Sequence, residues 1–323
     1  MIRRFLCILS LLLTGCSSLR VLPEEEYVIL PTFQPSKPIE LALVLGGGGS
    51  KGLAHLGAIQ ELEKAGIRPD LIIGCSAGAI AGALYADQPE LQNAINRLIP
   101  LRKRDVLDYS YMNPVFGIVN GDLLQNLMGD LLNARHFDDL KIPLIVVATD
   151  LISGETVEIC CGDIPSAIRA SCSFPGVFKP YQLYGRHCID GGASCPIPVS
   201  VAKKYGAKVV LAIDLSEKLP TEHPTNLFGV TRRGLEIAYR KFVEQSLALA
   251  DISIQMNFDE LGTFTDDQNY WLYRQGQEII RTHLADIKTK LHMAKLGLPS
   301  KRKAIERQIS YGMDHIDIEL SVP

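Results

Sequence analysis

No stretch of this 323-residue chain is apolar for long enough to cross a bilayer as a helix; the run Phe5 to Leu13 falls far short of the roughly 20 residues required. A membrane-spanning anchor is therefore not expected. There is no CxxC pair and no histidine-rich spacing, so the usual sequence signs of a zinc site are missing and no metal is called for. The formal net charge is only −3, which gives no support for nucleic acid as a partner. Internal repeats and low-complexity tracts are absent as well. At 47% hydrophobic and 21% charged residues, the chain reads as a globular body large enough for one α/β domain with a well-buried core.

What the chain does contain is three short motifs in a fixed order. Leu41-Ala42-Leu43-Val44-Leu45 is a continuous apolar run ended by glycine, which predicts a buried strand. Gly46-Gly47-Gly48-Gly49-Ser50-Lys51-Gly52 follows, then a helix with Leu53, Leu56, Ile59 and Leu62 on one face. Such glycines leave backbone N–H groups free to face an anion, and the helix start adds its positive end. The second motif, Gly74-Cys75-Ser76-Ala77-Gly78, lies between the apolar run Leu71 to Ile73 and the helical stretch Ala77 to Tyr85. It fits G-x-S-x-G, a strand-turn-helix elbow that lifts a serine oxygen clear of the sheet and needs small neighbours such as Gly74 and Gly78. The third is Asp190-Gly191-Gly192, read as a turn whose two glycines let the backbone bring a carboxylate against the elbow.

Other chemistries fit these motifs less well. Gly47, Gly49 and Gly52 satisfy GxGxxG after a strand, but a dinucleotide site needs an acid at the end of the second strand. Gly74-Cys75-Ser76 occupies that place, and Asp70 lies at the strand's start. A Walker loop fails because Lys51 is followed by Gly52. A Ser-Asp-His triad in that order would need His223, His283, His292 or His315, none of which has a recognisable loop around it.

With all three motifs in place, the chain resembles the patatin-like phospholipase family from roughly Leu41 to Ile287. The resemblance implies a three-layer α/β/α sandwich with a mainly parallel central sheet and a dyad that works without histidine. It makes Ser76 the nucleophile and Asp190 its base, Gly47, Gly48 and Gly49 the oxyanion loop, and Gly74, Gly78, Gly191 and Gly192 the supporting motif glycines. No cofactor is implied. The implied activity is hydrolysis of a phospholipid or other lipid ester, of the phospholipase A or lysophospholipase type. An acyltransferase or thioesterase with the same dyad, or a non-catalytic envelope lipoprotein, are the rivals. Lys51 stands where the family often has arginine, and Ser173 where alanine is commonest. Ala148-Thr149-Asp150, Gly154-Glu155 and the stretch Ala170 to Gly176 match scaffold positions.

Ahead of this region, Arg3-Arg4, the apolar run Phe5 to Leu13 and Leu13-Thr14-Gly15-Cys16 resemble a bacterial lipoprotein signal. That implies a signal peptide at 1–15, lipidation of Cys16, a tether at 16–38 and a catalytic domain at 39–323, held to the membrane of the cell envelope through its lipids. Ser17 favours the outer membrane. Apart from Cys7 and Cys16, the cysteines Cys75, Cys160, Cys161, Cys172, Cys188 and Cys195 are expected to be mostly free, buried thiols.

Parallel strands are expected at Leu41 to Leu45, Leu71 to Ile73, Leu144 to Thr149 and Lys208 to Asp214. The segment from Ala86 to Leu140, with Tyr109, Tyr111, Met112 and Phe116, reads equally as a cap lining an acyl groove and as core helices with an irregular link. Asp150 and Asp214 are expected to cap loops, and His55 to be packed rather than catalytic. Beyond Thr225 the chain reads as mainly helical, with a basic cluster from Lys288 to Arg307 that is either a solvated face or a contact for anionic head groups.

Overall fold

The structure is a computed structural model that describes residues 27–110, 116–258 and 267–296. The signal segment, Cys16, Tyr111, Met112, His315 and the basic residues from Lys301 onward lie outside the described residues.

The strands are β1 (Leu41–Leu45), β2 (Leu71–Cys75), β3 (Leu144–Asp150), β4 (Thr156–Ile159), β5 (Tyr181–Leu183), β6 (Arg186–Asp190), β7 (Val209–Asp214) and β8 (Ile252–Gln255). They form one sheet in the order β5-β6-β3-β2-β1-β7-β8, with β4 also paired to β3. In that order the stretch from β3 to β8 is parallel, whereas β4 and β6 pair antiparallel with β3, and β5 antiparallel with β6.

The helices are α1 (Leu53–Lys64), α2 (Ala77–Asp87), α3 (Gln92–Leu98), α4 (Lys103–Val106), α5 (Asp122–Leu131), α6 (Ile164–Ser171), α7 (Val199–Lys204), α8 (Leu227–Leu249) and α9 (Asn269–Lys295). Strand alternation assigns them to layers, because successive side chains point to opposite faces. Leu43, Leu45, Val146 and Leu211 share one apolar cluster with Leu56 of α1, Leu84 of α2, Met128 of α5, Ile168 of α6 and Ile280 of α9. Their neighbours Val44, Val147 and Val210 share the other with Val199 of α7 and Val243 and Leu247 of α8. The result is a three-layer α/β/α sandwich. Leu124, Met128 and Leu131 sink α5 into the main core, which favours the core-helix reading of the segment from Ala86 to Leu140. Among the described residues no helix is long and apolar enough to cross a membrane.

One expectation needs correction. Asp190 closes strand β6, with only Gly191 to Ala193 forming a 3-10 turn, so the third motif is a strand end and not a free turn. The described end of the expected tether is also laid onto the domain. Val28 N–H donates to the Tyr184 carbonyl at 3.1 Å, the Arg186 guanidinium sits 4.3 Å over the Tyr27 ring, and Phe33 meets Tyr205 edge-on at 5.3 Å.

Sheet register explains how residues 114 positions apart meet. On β3, Val146 and Val147 pair with both β2 and β4, while Ala148 and Thr149 pair with both β4 and β6. Each residue has only two edges, so β6 takes over the edge of β3 that β2 vacates. Cys75 lies opposite Val147 and Asp190 opposite Ala148. Where β2 turns away at Ser76, β6 arrives head-on with Asp190.

Candidate active site

Between the end of β2 and the start of α2, Ser76 alone makes the turn, at φ 52° and ψ −119°. A non-glycine residue held outside the ordinary backbone regions costs on the order of 1–3 kcal/mol and persists only where its surroundings over-determine it. Those surroundings are visible. A side chain at Gly78 would overlap the Leu45 carbonyl, and one at Gly74 would lie 2.5 Å from Ala79 Cα. The Ser76 N–H donates to Ser171 Oγ at 2.8 Å, and the Ser171 hydroxyl donates to the Val147 carbonyl at 2.6 Å.

Asp190 is held just as firmly. Its N–H donates to the Ser173 carbonyl at 3.0 Å, and its own carbonyl accepts from the Thr149 hydroxyl at 3.0 Å. Its carboxylate accepts the Gly192 N–H at 2.7 Å on Oδ1 and the Ser76 hydroxyl at 2.6 Å on Oδ2. Gly191 cannot carry a side chain because it would overlap the Val147 carbonyl. The end of α6 thus grips both residues, Ser171 through the Ser76 amide and Ser173 through the Asp190 amide. Buried Arg169 braces this turn, donating to Ser173 Oγ at 2.6 Å and to the carbonyls of Asn120 and Lys179 at 3.1 and 3.0 Å. Sequence reasoning placed Ser171, Ser173 and Thr149 only as scaffold and did not assign these contacts.

Removing the Ser171 hydroxyl would leave the Ser76 N–H and the Val147 carbonyl without their partner in a buried site. We expect Ser171→Ala to lower turnover roughly tenfold to 100-fold by loosening the elbow, with KM little changed. Steady-state kinetics paired with a thermal melt checks this; a loss of stability with unchanged turnover would show that Ser171 only supports the fold.

Burial raises the Asp190 carboxyl to about 6, even though the hydrogen bonds from Ser76 and Gly192 pull it down. A base must be ionised to accept a proton. Activity is therefore expected above this value, with kcat/KM falling about tenfold per pH unit as pH drops below about 6. A rate profile on a soluble ester measures it. A limb near 6 is easily mistaken for histidine, but neither carboxylate oxygen of Asp190 meets one. The buried histidine is His55, whose Nε2 lies 2.9 Å from the Gly46 carbonyl and which burial lowers to about 4, so it is neutral and packed. His223, His283 and His292 are exposed.

The glycine loop approaches from β1. A Cβ at Gly47 would lie 3.6 Å from Ser76 Cβ and 3.7 Å from the Tyr239 hydroxyl, so this backbone is directly beside the elbow. Its N–H, however, donates to the Pro196 carbonyl at 3.2 Å and is engaged within the fold. Among the described residues no acceptor is paired with the N–H groups of Gly48 and Gly49, and Gly49 takes a left-handed φ of 59°. Of the three expected donors, Gly48 and Gly49 remain available. Lys51 is buried in an ion pair with Glu217, tying the end of the loop to the segment after β7. Tyr239 of α8 lies beside both glycines, 3.7 Å from where a Cβ on Gly47 would sit and 3.3 Å from one on Gly192, a neighbour with no signature in the sequence.

The remaining candidates have structural duties. Asp150 Oδ1 accepts the Ile152 N–H at 2.9 Å and Asp214 Oδ1 the Ser216 N–H at 2.8 Å, both loop caps. All six described cysteines are free. Burial pushes the Cys75 and Cys172 thiols up, so the two sulfurs nearest the elbow stay protonated and are poor nucleophiles.

Residues 43–203, which contain the glycine loop, Ser76 and Asp190, match the family model of patatin-like phospholipases. An uncharacterized NTE family protein of Mycobacterium tuberculosis is 33% identical over 179 residues, 54% of this chain and 49% of that protein. Patatin-like phospholipase domain-containing protein 6 of Homo sapiens is 32% identical over 193 residues, 57% of this chain and 14% of that protein. The chain thus spans about half the length of the mycobacterial relative and far less of the human one. Among solved structures, VipD from Legionella pneumophila shares the fold with a TM-score of 0.51 at 15% identity, covering 85% of this chain and 72% of that one.

Proposed function

Because the chain belongs to the patatin-like phospholipase family, we propose that it is a serine lipid acyl hydrolase of the phospholipase A or lysophospholipase type. The observation that carries this reading is the 2.6 Å hydrogen bond from the Ser76 hydroxyl to a buried carboxylate of Asp190, at the C-terminal ends of the parallel strands.

In this scheme Ser76 Oγ attacks the acyl carbonyl while Asp190 Oδ2 takes its proton. The developing oxyanion is met by the N–H groups of Gly48 and Gly49. Asp190 then returns the proton to the leaving alcohol, giving an acyl-enzyme. The same carboxylate draws a proton from water as it attacks the acyl carbon, then passes that proton to Ser76 Oγ as the Oγ–acyl bond breaks and the fatty acid leaves. A carboxyl near 6 is a better base than an ordinary aspartate near 3.8, while fixed geometry supplies much of the remaining acceleration. Phosphatidylcholine and its lyso form are the substrates to test. Release of free fatty acid supports the hydrolase, whereas transfer of the acyl group to an added alcohol in preference to water would make the protein an acyltransferase.

The same proposal places the protein on the bacterial envelope, at the outer membrane, through a lipidated Cys16 after removal of residues 1–15. Cys16→Ser removes the thiol that accepts the lipid. Mass spectrometry of the mature N-terminus is expected to find a lipid on Cys16 in the native protein and none in the variant; a native N-terminus elsewhere would contradict the anchor.

A further inference from the structure

Helix α8 is docked only by its C-terminal half, where Val243 and Leu247 are buried. Beside that docked face it exposes Phe228 (85%), Leu235 (69%), Phe242 (45%) and Leu249 (54%), while Leu227, Val230 and Ile237 are exposed elsewhere around the helix. Seven residues are close to two helical turns, so these four side chains stack into one stripe with a drift of only about 20° per step. A stripe of large apolar groups left open on a folded domain marks a surface with a partner. We propose that this stripe docks the protein on an anionic lipid bilayer, with Ser76 at the docking face.

Three features select a bilayer. First, Leu235 and Phe242 stand one turn on either side of Tyr239, whose side chain lies beside Gly47 and Gly192, so the stripe runs past the mouth of the site. Exposed Ile152, which follows the C-terminal end of β3, adds to the same end of the sheet. Second, the helix carries Arg232, Arg233, Arg240 and Lys241 against Glu236 and Glu244. Arg232 (74% exposed) and Lys241 (70%) fall on opposite flanks of the stripe, although each also has a surface carboxylate within reach. Long basic side chains on the flanks of an apolar face suit anionic head groups. Third, the positions three residues after Phe228, Leu235 and Phe242 are Thr231, Ala238 and Gln245. A seam with a second helix of this chain would want large apolar residues there.

The inference rests on the lipid-ester reading, because a substrate embedded in a bilayer is what an enzyme docked this way reaches. Its test uses the full chain with Cys16→Ser, which removes the proposed lipid, with and without Phe228→Glu and Leu235→Glu together. Flotation with vesicles of phosphatidylglycerol and phosphatidylcholine reads docking; hydrolysis of the vesicles and of p-nitrophenyl butyrate reads activity. The double variant is expected to lower both the bound fraction and the vesicle rate at least about tenfold while the soluble ester is cleaved as before. Equal flotation of the two proteins would overturn docking. So would a dimer in sedimentation that the double variant splits, since the stripe would then join two copies. Failure of the parent chain to cleave either substrate, with flotation still sensitive to the variant, would instead count against the hydrolase reading alone.

Discussion

Ser76→Ala and Asp190→Asn are each expected to lower lipid-ester turnover by about 10⁴-fold or more, while both variants stay folded. The two side chains act as one unit in forming the acyl-enzyme, so removing either forfeits nearly the whole effect of the pair. Asp190→Asn is the sharper of the two. Its amide oxygen can still accept the Gly192 N–H now held at 2.7 Å, and its nitrogen can donate to Ser76 Oγ, so shape is kept and only basicity is lost. Replacing His223, His283 or His292 is expected to leave most activity. Steady-state rates on variants with native melting curves decide the matter, and a collapse at one histidine alone would replace the dyad with a triad.

Gly48→Ala is expected to reduce kcat roughly 100-fold to 1000-fold with little change in KM, the usual scale for disturbing one oxyanion donor. The reason is contact: a Cβ there would lie 2.8 Å from Leu215 Cβ, so the loop must shift and carry the N–H groups of Gly48 and Gly49 away from the reacting carbonyl. If the folded variant keeps a near-normal kcat, this stretch is only a tight turn and the donors lie elsewhere.

The parallel strands were readable because both of their faces are buried, which writes them as unbroken apolar runs such as Leu41 to Leu45 and Leu144 to Val147. Strand β6 was not, since Arg186-His187-Cys188-Ile189-Asp190 is half-buried and antiparallel and carries no such run. Its hairpin partner is joined through Tyr184 and Gly185, both at positive φ (54° and 73°), where a tyrosine replaces the asparagine or aspartate that usually announces this turn. Strand β8 spans only four residues between two long helices, too few for its alternation to register. The start of α8 did leave a signal: Asn226, next to Thr225 where the helical reading begins, accepts the Gly229 N–H at 2.8 Å as an N-cap.

At the site, residue identities were legible and their wiring was not. Ser76, Asp190 and the glycines sit in local motifs, each constrained by a turn it must make. The capture of the Gly47 N–H by Pro196, the grip of Ser171 on an elbow 95 residues away and the approach of Tyr239 depend on tertiary pairing between backbone groups or ordinary side chains. Such pairings leave no pattern along a single chain.

Reaction with a fluorophosphonate followed by peptide mass mapping reads the role of Ser76 as a nucleophile activated by Asp190. That role predicts one adduct, on Ser76, absent in Ser76→Ala and formed far more slowly in Asp190→Asn. An adduct on another serine, or lipid-ester hydrolysis by a protein that forms none, would contradict it.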